Sequence, residues 1–199
     1  MSVFVETEGE DMKFEEKNWS KTLLSCYGHL EMICGAIDKN VLNYGIKSSA
    51  MNCDVEFVAS KMISLIERKK FLINIKVIVD NALKKLDNTE ARVLVLKYID
   101  NLPSNLASEV MKISMRTYFR KITIALDNFW ENLKQMGYSS KKLFGLFKNE
   151  KWILELFESF NSKKTIVLNS DDNVQNISSE SYISKNIDVL SQSYIGLNT

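Results

Sequence analysis

Between residues 19 and 42 the apolar side chains Leu23, Tyr27, Leu30, Ile33, Cys34, Ile37 and Val41 recur three and four positions apart. That spacing collects them on one face of an α-helix. The period then breaks over residues 43–52 (NYGIKSSAMN), which read as a loop. A second periodic stretch holds Val55, Val58, Met62, Leu65, Ile66, Leu72, Ile75, Ile78, Val79, Ala82 and Leu83 without a Gly or Pro. It predicts either one long helix or two that meet near residues 67–70.

The pattern tightens over residues 86–133. Asp87 and Glu90 have the spacing of a capping box, and Val93, Leu94 and Leu96 carry a short helix that Asp100 and Asn101 end. Pro103 fits the first turn of the next helix, where a missing N–H costs nothing. Leu106, Ala107 and Val110 supply that helix with a buried stripe. A tight turn at Lys112 and Ile113 leads to Ser114, a favoured N-cap. Tyr118, Ile122, Ala125, Leu126, Phe129 and Leu133 then line the inner face of a third helix. Two helices joined by so short a turn are the layout of a helix-turn-helix, in which the start of the later helix enters the major groove.

Outside this region the pattern is looser. Residues 1–17 are rich in Glu and Asp and read as an acidic flexible start. Leu143, Phe144, Leu146, Phe147, Trp152, Ile153, Leu156, Phe157 and Phe160 predict two short helices that cap the core, with a partner surface as the alternative. Beyond residue 161 the chain is rich in Ser and Asn and reads as a flexible tail, with a short ordering segment near residues 182–190.

Composition narrows the class further. With 7 Gly and one Pro in 199 residues, the chain lacks the turn formers of an all-β protein. The expected fold class is therefore all-α, a helical bundle containing the helix-turn-helix. No apolar run reaches the roughly 20 residues that span a bilayer, and the acidic start is unlike a secretory signal. A cytoplasmic protein without membrane contact is expected. The net charge of +1 is uninformative as a total. Its distribution is not: Lys112, Arg116, Arg120, Lys121, Lys134, Lys141 and Lys142 stand against Asp127 and Glu131 over residues 112–142. A local basic excess of this kind is the footprint of a phosphate-contacting surface.

The runs EARVLVLKYID, LASEVMKIS and RTYFR, with Ala125-Leu126 following Ser114, resemble region 4 of the sigma-70 family. The segment SMRTYFRKITIAL, with helices ahead and basic residues behind, is similar to the ArpU- and RinA-type late-gene regulators of Gram-positive phages and prophages. The resemblance covers roughly residues 74–137. It implies a sequence-specific transcription regulator that binds double-stranded DNA. RNA polymerase and a second copy of the chain are further candidate partners. The acidic, aromatic helix that a complete sigma factor uses upstream is not found in residues 19–83, and Phe119 stands where region 4 commonly has a hydrophilic residue.

The candidate DNA-binding residues are Lys112, Ser114, Met115, Arg116, Phe119, Arg120 and Lys121. Arg116 and Arg120 are suited to bidentate contacts with guanine edges or phosphates. Lys112 and Lys121 would hold the backbone, and Ser114 would cap the helix. The competing reading is a helical protein–protein interaction module whose basic face is merely solvated. Cys26, His29, Cys34 and Cys53 offer zinc-ligand chemistry. Cys26 and Cys34 also fit one apolar helix face with Leu30, Ile33 and Ile37, so packing is their expected role and no metal or cofactor is expected. Phosphate-binding loops and nucleophile elbows are lacking, and with one His no His-based triad forms, so no enzyme is expected. The expected organisation is a flexible start (1–17), a helical support region (18–75), the helix-turn-helix unit (76–137), an aromatic helical extension (138–161) and the tail (162–199).

Overall fold

Seven α-helices and one π-helical turn, with no strand among the described residues, make up the computed structural model, which describes residues 4–50 and 54–167. The elements are α1 (Phe4–Ala50), α2 (Val55–Lys84), α3 (Asn88–Leu94), a π turn (Val95–Ile99), α4 (Ser104–Val110), α5 (Met115–Gln135), α6 (Ser140–Phe147) and α7 (Lys151–Val167). The all-α expectation holds. No helix among the described residues is long and apolar enough to cross a membrane.

α1 is the spine, packing on α2, α5, α7 and the π turn. Its buried Trp19 stacks on Phe147 and Phe157 at 5.8 and 4.3 Å and receives the edge of Phe144 at 4.8 Å. Offset and edge-on contacts of this kind suit the ring quadrupoles and hold α6 and α7 against α1. The aromatic segment therefore closes the core, as its period predicts.

The helices run further than the period suggests. Residues 4–17 are helical rather than an irregular start. Lys17 pairs with Asp127 at 3.2 Å and Glu16 faces Lys134 at 4.0 Å, so this end of α1 is tied to α5 just before the buried run from Asn18 to Ser20. The loop expected at 43–52 is also largely helix, because α1 continues to Ala50. Val41 and Tyr44 pack against the core there, and that packing offsets the weak helix propensity of Asn, Ser and Gly.

α2 is one unbroken helix, with Leu65 and Leu72 buried on either side of the suspected joint. The boundary expected between residues 75 and 76 falls inside it. Ile66, read as part of the inner face, is exposed. α7 carries the helix to Val167, taking in the first six residues of the expected tail. The rest of the tail and the ordering segment near residues 182–190 lie outside the described residues.

Candidate nucleic-acid interface

α5 owes its position to its own sequence. Tyr118, Ile122, Ala125, Leu126, Phe129, Trp130 and Leu133 are buried along one side of its 21 residues. At about 100° per residue, Arg116 and Arg120 fall within 40° of each other and nearly opposite that buried side. Both are exposed, and neither forms an ion pair among the described residues. The acidic groups further along the same outer face are engaged: Asp127 with Lys17, and Glu131 with Lys134 at 2.5 Å. The first two turns of α5 therefore carry uncompensated positive charge.

The start of α5 is fixed by two backbone devices. Ser114 is the N-cap, its hydroxyl oxygen accepting the Thr117 amide at 3.2 Å. Just before it, α4 ends by bending the chain through a left-handed residue, Lys112, at φ +55°. The Lys112 amide donates to Glu109 O at 2.9 Å and the Ile113 amide to Ser108 O at 3.1 Å. This pair of bonds is a Schellman motif, which satisfies carbonyls that the helix end would otherwise orphan. Ile113 packs against the core beneath the turn.

α4 differs from its expected pattern. Ala107 and Ser108 are its buried residues, whereas Leu106 and Val110 are exposed. Only small side chains are buried on this short helix, and the larger apolar ones lie outside. Pro103 is the N-cap of α4, one position before its first turn. Asp87 caps α3 by accepting from the Thr89 amide at 3.0 Å. Glu90 does not return to the cap as a capping box requires; it accepts from Asn128 of α5 at 2.8 Å instead.

Most of the predicted site residues come together. Lys112, Ser114, Met115, Arg116, Phe119 and Arg120 are all exposed around the turn and the first two turns of α5. Lys121 is not part of this face. It is half-buried, lies about 100° around the helix from Arg120, and stands near the carboxylate of Asp87. The Thr89 amide chiefly holds that carboxyl below its usual range, with Lys121 a smaller contributor.

Leu106 and Val110, 44% and 47% exposed, join Met115 and Phe119, 40% and 49% exposed, as apolar groups on this unit. Sequence periodicity missed the first two because a seven-residue helix is too short to define an inner side.

Cys26 and Cys34 take packing positions on α1. Cys26 is fully buried in the core and Cys34 is half-buried on the same helix, and burial pushes both thiols up. No group of three or more His, Cys, Asp or Glu among the described residues is placed to hold a metal ion. Cys53 lies outside them.

No family model matches the chain, and no curated protein or solved structure matches it.

Proposed function

We propose that the chain is a sequence-specific double-stranded DNA-binding transcription regulator of bacterial or prophage type. In this reading α4, the turn at Lys112 and α5 form a helix-turn-helix similar to region 4 of the sigma-70 family. The observation that carries it is the pair Arg116 and Arg120, exposed side by side at the capped start of a helix whose later acidic residues are engaged by lysines. A guanidinium held this way keeps its donors free for guanine N7 and O6 or for phosphate. Met115 and Phe119 flank the arginines with apolar surface suited to thymine methyl groups. Lys112 supplies a phosphate contact beside the turn. Lys121, half-buried and about 100° around the helix from Arg120, is left out of the reading surface. No catalytic role is assigned to any residue.

The test is titration of the full chain with duplex DNA at a series of salt concentrations. Binding should weaken with salt, each neutralised phosphate contributing about 0.9 to the log–log slope. Failure to bind any duplex at low salt would sink the reading.

A second reading rests on a specific observation. Leu106, Val110, Met115 and Phe119 leave apolar surface on the same unit, as a partner-binding surface would. An interaction module, with polymerase or another protein as the partner, replaces the DNA reading if duplex binding fails.

A further inference from the structure

α2 bears a second apolar stripe that the other described residues leave bare. Its core side is set by Val58, Leu65, Leu72, Ile75 and Val79. On the opposite side Val55, Ala59, Ile63, Ile66, Ile73 and Val77 are all exposed, with Lys70 among them. At about 100° per residue these positions fall within a sector of roughly 80°, the width of a helix–helix seam. Val55 is 77% exposed, Ile63 57% and Ile66 53%, which is costly for β-branched side chains that no described residue covers.

We propose that this stripe docks on the same stripe of a second copy of the chain. The two α2 helices cross antiparallel about a twofold axis at Ile66. The inference does not depend on the DNA reading.

Two observations choose a copy over another occupant. The first is the spacing, which reads nearly alike in both directions from Ile66. Val55 and Val77 lie eleven residues to either side, and Ala59 and Ile73 lie seven. Antiparallel pairing therefore sets Val55 against Val77 of the second copy and the small Ala59 against its Ile73. A surface that matches itself under a twofold rotation is what an isologous dimer requires.

The second observation is the charge. Within this register the two Lys70 side chains stand eight residues apart along the axis, about 12 Å at 1.5 Å per residue. A parallel in-register pair would put them face to face. The antiparallel crossing instead brings each Lys70 within reach of Glu67 of the other copy, because side chains lean toward their own helix N-termini and so toward one another. Neither Glu67 nor Lys70 forms an ion pair among the described residues.

The test is the solution mass of the full chain, by light scattering and sedimentation, together with charge-reversed variants. The full chain should be a dimer. Ile66→Lys, on the axis, should give a monomer with unchanged helical circular dichroism. Lys70→Glu and Glu67→Lys should each weaken the dimer about tenfold, and the double variant should recover it.

A full chain that stays monomeric at high micromolar concentration overturns the proposal. So does a dimer that survives Ile66→Lys. If the chain dimerises only after residues 168–199 are removed, the stripe belongs to that segment and not to a second copy. Loss of the dimer with Ile66→Lys but indifference to the charge swap rejects the antiparallel crossing.

Discussion

Arg68 and Glu150 meet as a two-pronged ion pair across 82 residues of sequence, Nε to Oε1 at 2.7 Å and Nη2 to Oε2 at 2.9 Å. The second carboxylate oxygen also accepts from the Trp152 indole at 2.7 Å, so the junction of α2 with the start of α7 is closed by three charge-assisted bonds. Glu150 is buried. Removing its carboxylate leaves Arg68 in a desolvated site facing an unpaired indole N–H. Glu150→Ala should destabilise the fold by about 3–5 kcal/mol, measured by urea unfolding. A loss below about 1 kcal/mol would mean that water replaces the carboxylate without strain.

Tyr118 presents the opposite situation. Its side chain is fully buried on the inner face of α5, and its hydroxyl finds no hydrogen-bond partner among the described residues. Burial pushes that hydroxyl up, and burial together with the nearby Tyr118 pushes Tyr98 up too. Leaving a donor unsatisfied in the core costs roughly 1–3 kcal/mol. Tyr118→Phe should therefore raise the melting temperature and leave DNA binding unchanged. A lower melting temperature would show that the hydroxyl is satisfied in solution.

The same chain ends two helices with the same motif but with different residues. α5 closes through Gly137 at φ +82°, whereas α4 closes through Lys112 at φ +55°. A side chain in the left-handed region costs roughly 1–2 kcal/mol, part of which a glycine loses again through unfolded-state entropy. Lys112→Gly should raise stability by up to about 1 kcal/mol, a shift of 2–4 °C for a chain of this size. On the proposed function it should also flatten the salt dependence of DNA binding by about 0.9, through one lost phosphate contact. A drop in stability would mean that the lysine makes contacts worth more than its strain.

What could be read from the sequence was what lies close along it. The inner face of α5 and the Ser114 cap follow from periodicity and one hydroxyl, and both are where the pattern puts them. α2 was legible as apolar but not as two-sided, because Ile63, Ile66 and Ile73 alternate with core residues on the same long helix. The full length of α1 was hidden, since toward its ends Lys17 is tied to Asp127 of α5 and Val41 and Tyr44 pack on the core, contacts that local propensity does not encode. The π turn at Val95–Ile99 had no local signal either. It lies where α1 comes so near that a Cβ on Gly28 would meet the Ile99 carbonyl oxygen at 3.1 Å. Within the candidate site, exposure of Arg116 and Arg120 followed from helix phase. The half-burial of Lys121 needed the fold.

Packing of Cys26 in the core gives a direct expectation for metal removal. The full chain should keep its melting temperature in excess EDTA and hold less than stoichiometric zinc. Unfolding on chelation would overturn the packing role, because a structural zinc site supplies folding free energy.

The central claim is that the exposed face at the start of α5 reads DNA. Its most direct measurement is selection from a random duplex library by the parent chain and by a variant carrying Arg116→Ala and Arg120→Ala. Both arginines are exposed, so helicity and melting should barely change. The parent should enrich a defined site. The variant should lose that preference, each missing bidentate contact removing roughly 1–3 kcal/mol of discrimination, while retaining weak salt-dependent binding through its lysines. Enrichment of the same site by both proteins would contradict the account.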